Sequence, residues 1–175
     1  MNAALYATIW AALVLFVIGE WGKQTIERTP HAARWAWRAS LLGALLCIAH
    51  IVIVMGLRHS WSHDAAVRDT ARQTTEVFGV AVGAGVYVNY VFVMVWLAEL
   101  GWWRRDPSGY ARRGRLVVWL LRGFYFVILV NAAVIFVRPQ LRLVGLALVG
   151  FWVLGAGFRV PFRVQGSRFG SRFGP

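Results

Sequence analysis

The sequence predicts an all-α polytopic membrane protein: a bundle of about five transmembrane helices forming one domain over residues 1–158, followed by a basic tail over residues 159–175. Three observations predict it. Of the 175 residues, 59% are hydrophobic, and the mean hydropathy is +0.58, too apolar for a water-soluble domain of this size. The apolar residues fall in runs of about 17–22, the length that crosses a bilayer core of ~30 Å. The basic residues gather at the ends of those runs. Spans in lipid must satisfy their backbone groups internally, so they are helical.

The first span covers roughly residues 3–19. No Lys or Arg precedes it and Lys23 is the first basic residue after it, so it reads as an uncleaved helix rather than a secretory leader. Glu20 to Thr29 reads as a polar loop. Thr29-Pro30 is a helix start, with Thr as N-cap and Pro in the first turn. The second span, 39–57, follows an interfacial turn carrying Trp35 and Trp37 between Arg34 and Arg38. It leaves the membrane through Arg58-His59-Ser60-Trp61-Ser62-His63-Asp64 into a polar, helix-prone stretch from Ala65 to Glu76.

The third span is predicted over 77–103. Gly79 and Gly83, and Ala81 and Gly85, recur at i, i+4, a spacing that lets helices approach closely. Trp102-Trp103-Arg104-Arg105 is an aromatic belt and charged stop, and Asp106-Pro107-Ser108-Gly109 a turn. The fourth span, 116–137, ends at Arg138-Pro139. The fifth, 141–158, forms a tight antiparallel hairpin with it. The tail contains Ser-Arg-Phe-Gly twice and reads as flexible and basic, suited to anionic lipid.

The net charge of +12 is explained by topology rather than by nucleic acid. Thirteen Lys and Arg fall on the side of the 20–38 loop, the 104–115 loop and the tail, against five on the other. The positive-inside rule then places the N-terminus outside, the C-terminus inside and the 59–76 stretch outside. The expected location is a bacterial cytoplasmic (inner) membrane. One cysteine, Cys47, excludes an intrachain disulfide and a CxxC motif.

The polar residues within and beside the spans are the candidate sites. His59 and His63 are four apart, and so share a face if the segment is one helix; with Asp64 and Glu76 they form a candidate metal site for zinc or copper. Ser40, Gly43, Cys47 and His50 make a small-and-polar stripe on the second span that calls for a neighbouring helix. His50 and Asn131 lie at similar depths, about 10 Å and 9 Å below the outer edge at 1.5 Å per residue. With Tyr87, Asn89 and Tyr90 they compose a candidate polar pocket in the outer half of the bundle, suited to a quinone head group, a metal ion or a small polar ligand. Nine helical residues set His59 half a turn from His50, so the two belong to separate sites on an unbroken helix. The other spans lack histidine, so a bis-histidine haem requires His59 or His63 folded back over His50, or a second ligand from another copy or a partner subunit. Glu99 and Arg122 are expected to pair near the inner end. No Ser-His-Asp arrangement, phosphate loop or HExxH occurs.

These residues suggest a non-catalytic subunit or scaffold of a membrane assembly, partnered by the lipid bilayer and by other membrane subunits or a second copy. A binder of a transition metal, haem or quinone, acting in electron transfer, is the alternative. A small transporter is the third reading.

Overall fold

The computed structural model describes residues 3–26 and 29–157; the predicted tail over 159–175 lies outside them. Every regular element among the described residues is helical. The helices are α1 (Ala3–Gly22), α2 (Pro30–His59), α3 (His63–Phe78), α4 (Gly85–Arg105), α5 (Pro107–Ala111), α6 (Arg115–Val130) and α7 (Arg142–Trp152). Wider π-turns continue α6 over Asn131–Ile135 and α7 over Val153–Gly157. Four helical stretches are long and apolar enough to cross a membrane: Leu5–Thr25, Pro30–His59, Gly85–Arg105 and Arg115–Ile135. The fifth apolar stretch, Pro139–Gly155, is shorter. It nevertheless runs parallel to nearly the whole of α1. The Arg138 guanidinium lies 4.7 Å from the Tyr6 ring at one end, and Gln24 donates to the Gly155 carbonyl at the other.

The α1–α2 pair is the spine, and small side chains make it close. A Cβ on Gly19 would sit 2.5 Å from the Ser40 Cβ, and one on Gly22 would overlap the Ala36 Cβ. Gly43 faces Leu15 and the Ala12 carbonyl in the same way. The small-and-polar stripe of the second span is therefore the face turned to α1: Ser40 and Cys47 are buried, and the His50 ring reaches Thr8. Trp96 of α4 closes the contact by donating to Ser40 Oγ at 2.9 Å.

Two boundaries differ from the sequence reading. The expected third span over 77–103 is split, because α3 ends at Phe78 on a left-handed Gly79 (φ 73°) and α4 starts only at Gly85. Gly83 and Gly85 pack against Val67 and Thr70 of α3, so these small residues serve a turn inside the chain. The expected loop at Glu20 is also helix. α1 continues to Gly22 and a 3-10 turn follows over Lys23–Thr25, carrying both Glu20 and Lys23 into the interior.

α3 is the amphipathic element. Ser62 caps its N-terminus by accepting from the Ala65 N–H at 3.2 Å, with Asp64 in the first turn where negative charge meets the helix dipole. Arg58, at the end of α2, forms a 3.0 Å ion pair with Asp69, which ties α3 back over the bundle.

Candidate functional site: a cavity and a charged cluster at opposite ends of the bundle

A cavity of about 730 Å³ opens among α1, α2, α3, α4 and the end of α6. That volume lies within the range of small-molecule sites, roughly 300–1,000 Å³. Most of its wall is apolar, including Leu13, Ile51, Val86 and Phe92. Polar groups enter from each element: His50 from α2, Asn89 and Tyr90 from α4, Asn131 from the π-turn, and Gln73 and Thr74 from α3. Four of the five predicted pocket residues thus line one cavity. The fifth, Tyr87, does not: its ring sits 5.3 Å from that of His63, on the outer face of α4.

The hydrogen bonds at the wall define what it offers. The Thr8 hydroxyl donates to the Leu5 carbonyl at 3.0 Å and lies 3.2 Å from His50 Nδ1, which leaves Nε2 of the ring to the cavity. Asn131 spends one amide hydrogen on the Val127 carbonyl at 2.8 Å and keeps its carbonyl oxygen and a second amide hydrogen. The π-turn that begins at Asn131 arises where Gly145 of α7 presses on the Ala133 carbonyl; π-turns of this kind recur at functional positions.

α3 and the loop after it close one side. Asp69, Thr70, Gln73, Thr74 and Phe78 face the cavity. Asp69 holds this cover through the Arg58 ion pair, a 2.6 Å contact with Arg72 and a 3.0 Å bond from Gln73. Burial alone would raise its carboxyl; the Arg72 and Arg58 hydrogen bonds and charges outweigh that and hold it below the ordinary carboxylate value. Thr74 pins the loop, accepting from the Val82 N–H at 2.8 Å and donating to the Ala71 carbonyl at 2.9 Å.

The proposed metal residues are not brought together. α2 ends at His59, and Ser60 and Trp61 adopt left-handed backbone (φ 47° and 61°) before α3 begins. His59 and His63 therefore do not share a helix face. His59 borders the cavity, whereas His63 packs between Tyr87 and Tyr90. Asp64 is exposed, and Glu76, some 20 Å along α3 from His63, pairs with Arg72 at 2.7 Å. Among the described residues no group of three His, Cys, Asp or Glu is placed to hold a metal ion. A haem finds no better support. His50 and His59 both border the cavity, but the unbroken α2 sets them nine residues and half a turn apart.

At the other end of the bundle lies a cluster the sequence reading missed. Glu99 of α4 is 5% exposed. It accepts from Lys23 Nζ at 2.8 Å, from the Tyr110 hydroxyl at 2.6 Å and from the Tyr125 hydroxyl at 2.5 Å. Lys23 also pairs with Glu20, itself 6% exposed. The expected Glu99–Arg122 pair is replaced by Glu99–Lys23, because the end of α1 reaches under α4; Arg122 Nη1 is buried without a hydrogen bond. Arg113 stacks on the Tyr110 ring at 3.9 Å. The available signal was Glu20 and Lys23 at i, i+3, opposite charges directly abutting an apolar run.

An aromatic layer separates the two features. The Phe16 ring lies 5.7 Å from Phe92, 4.9 Å from Trp96 and 5.0 Å from Tyr125. Phe92 is part of the cavity wall, and Tyr125 carries the hydroxyl bonded to Glu99. Comparisons with protein-family models, with curated proteins and with solved structures find no match.

Proposed function

We propose that this is an integral membrane protein of five spans that binds a small amphipathic molecule in its outer cavity, one with a hydroxyl- or carbonyl-bearing ring as its head, of the quinone or quinol kind. The observation that carries the reading is the cavity of about 730 Å³, apolar for most of its wall, on which His50, Asn89, Tyr90 and Asn131 converge. His50 Nε2 supplies an acceptor for a ligand hydroxyl, and the free amide hydrogens of Asn131 and Asn89 supply donors for a carbonyl. An apolar tail leaves toward the surrounding lipid at little cost in desolvation. The fifth span is supported by the parallel match of residues 138–155 to α1, the direction a fifth span beside the first requires. The arginines at 104, 105, 112, 113 and 115 favour an inner location for the charged cluster and an outer one for the cavity.

The scaffold reading loses one of its motives, since Gly83 and Gly85 are occupied by α3 of the same chain; co-purification of partner subunits is its test. A transport reading requires a path through the Phe16–Phe92–Trp96 layer.

The test is titration of the purified protein in mild detergent with a short-tailed quinone, read by quenching of tryptophan fluorescence, with Trp10 in the cavity wall. The expected result is saturable quenching that weakens at least several-fold in His50→Ala and in Asn131→Ala. Quenching that rises linearly, and equally in both variants, would reduce the cavity to a packing defect. Organic extraction and mass analysis of the same preparation identify any molecule carried through purification.

A further inference from the structure

We propose that Glu20 is a proton-binding site at the inner end of the bundle, holding a proton at neutral pH beside an ionised Lys23–Glu99 pair. The inference is independent of the outer cavity. It rests on an inequality between two buried carboxyls that share one ammonium. Glu99 receives three donors, from Lys23, Tyr110 and Tyr125, enough to satisfy a full carboxylate charge. Glu20 receives one, from Lys23. Both side chains are about equally buried, so desolvation does not separate them; hydrogen bonding does.

The charge around them completes the argument. α1 brings Glu20 and Lys23, α4 brings Glu99, and α5 brings Tyr110. The turn after α5 brings Arg113, and α6 brings Arg122 and Tyr125. α2 places Ser40 and Ala36 against Gly19 and Gly22, and the end of the α7 segment offers the Gly155 carbonyl to Gln24; none of these titrates. The ion pairs of both carboxyls, among the described residues, are with Lys23. Arg113 is held over the Tyr110 ring and by the Tyr110 carbonyl at 2.6 Å. With both acids ionised, two buried carboxylates share the one ammonium in contact with them, since the Arg113 and Arg122 guanidiniums lie near but form no ion pair with either. Binding one proton to the Glu20 carboxylate oxygen leaves the Lys23 charge to Glu99 and breaks no other bond. Lys23 Nζ then bonds the carbonyl oxygen of the neutral acid, and the Lys23–Glu99 pair persists. The chain so acquires a group that loads and releases a proton without dismantling its packing.

The experiment is infrared spectroscopy of the purified full chain at neutral pH in H2O and D2O. The expected wild-type spectrum contains the carbonyl stretch of one un-ionised carboxylic acid, downshifted in D2O and lost as pH is raised while the amide band holds. Glu20→Gln abolishes it. Glu99→Gln also abolishes it, because Glu20 then has Lys23 to itself and ionises. Lys23→Met roughly doubles it. Absence of the band in folded wild-type protein, or its survival in Glu20→Gln, overturns the proposal. If Glu20→Gln does not fold, Glu20→Asp must move the band frequency and Glu99→Asp must not; the reverse overturns the assignment.

Discussion

The Lys23 ammonium at the end of the first helix lies 2.8 Å from the Glu99 carboxylate of the fourth, 76 residues away. This contact fastens α1 to α4 and draws Tyr110 and Tyr125 onto the same carboxylate. Breaking one half of a buried pair leaves the other charge without compensation, at a penalty of about 3–5 kcal/mol. Lys23→Met is expected to lower the unfolding midpoint in detergent–denaturant titrations by that order. The Lys23→Met/Glu99→Gln double variant should fall well short of the sum of the two single effects.

Tyr125→Phe isolates one donor to Glu99. A hydrogen bond to a charged group contributes roughly 1.5–3 kcal/mol, and the ring contacts with Phe16 and Phe92 are retained. The same unfolding titration should show a loss within that range. An unchanged midpoint would mean that the hydroxyl adds nothing to the cluster.

The α1–α2 spine depends on the missing side chains of Gly19 and Gly22. Gly22→Leu would drive a side chain into Ala36, and overpacking of a close contact costs typically about 1–3 kcal/mol. Gly150, with open space at its Cβ position, serves as the control. Gly150→Ala should be neutral or slightly stabilising in thermal unfolding followed by circular dichroism, where Gly22→Leu is clearly destabilised.

Asp69 sets the pH dependence of the cavity cover. Its folded carboxyl titrates below its unfolded one, with Arg72 and Arg58 overcoming burial. The stabilisation is therefore fully present above the ordinary carboxylate value and is lost as pH falls through the lowered folded value. Hydrogen exchange of α3 amides, corrected for the intrinsic rate, should be flat from neutral pH to about pH 5 and rise only below about pH 4. In Asp69→Asn it should be elevated throughout.

Cys47 is a built-in reporter of the same cover. It is the single cysteine, buried at 6% exposure and part of the cavity wall. Thr74→Val leaves the Val82 N–H without its 2.8 Å acceptor, a local loss of about 1–3 kcal/mol if that group stays buried. Maleimide labelling of Cys47, slow in the wild type, should quicken several-fold. A bound cavity ligand should slow it again.

Much of the cavity was legible because membrane depth is a linear coordinate along a helix. His50 and Asn131 could be assigned similar depths from residue counts alone, and both meet the cavity. Azimuth is not linear in this way. Tyr87 and Tyr90 sit at nearly the same depth, and only the rotation of α4 against its neighbours separates the outer Tyr87 from the cavity-lining Tyr90. His59 and His63 failed for a related reason. Their i, i+4 spacing assumed one helix, and two left-handed residues between them removed the assumption.

The sequence by itself determined the helical class, the long apolar runs and the basic residues at their ends, because hydrophobic length and charge bias are properties of composition along the chain. It also marked the buried face of the second helix, since a stripe of Ser40, Gly43, Cys47 and His50 cannot turn to lipid cheaply. Only the tertiary structure decided which charges meet. Lys23 reaches Glu99, and Arg122 does not, because the last turn of α1 passes beneath α4. A contact between residues far apart in sequence depends on how helices are rotated and staggered, and that is settled by side-chain packing across all of them at once.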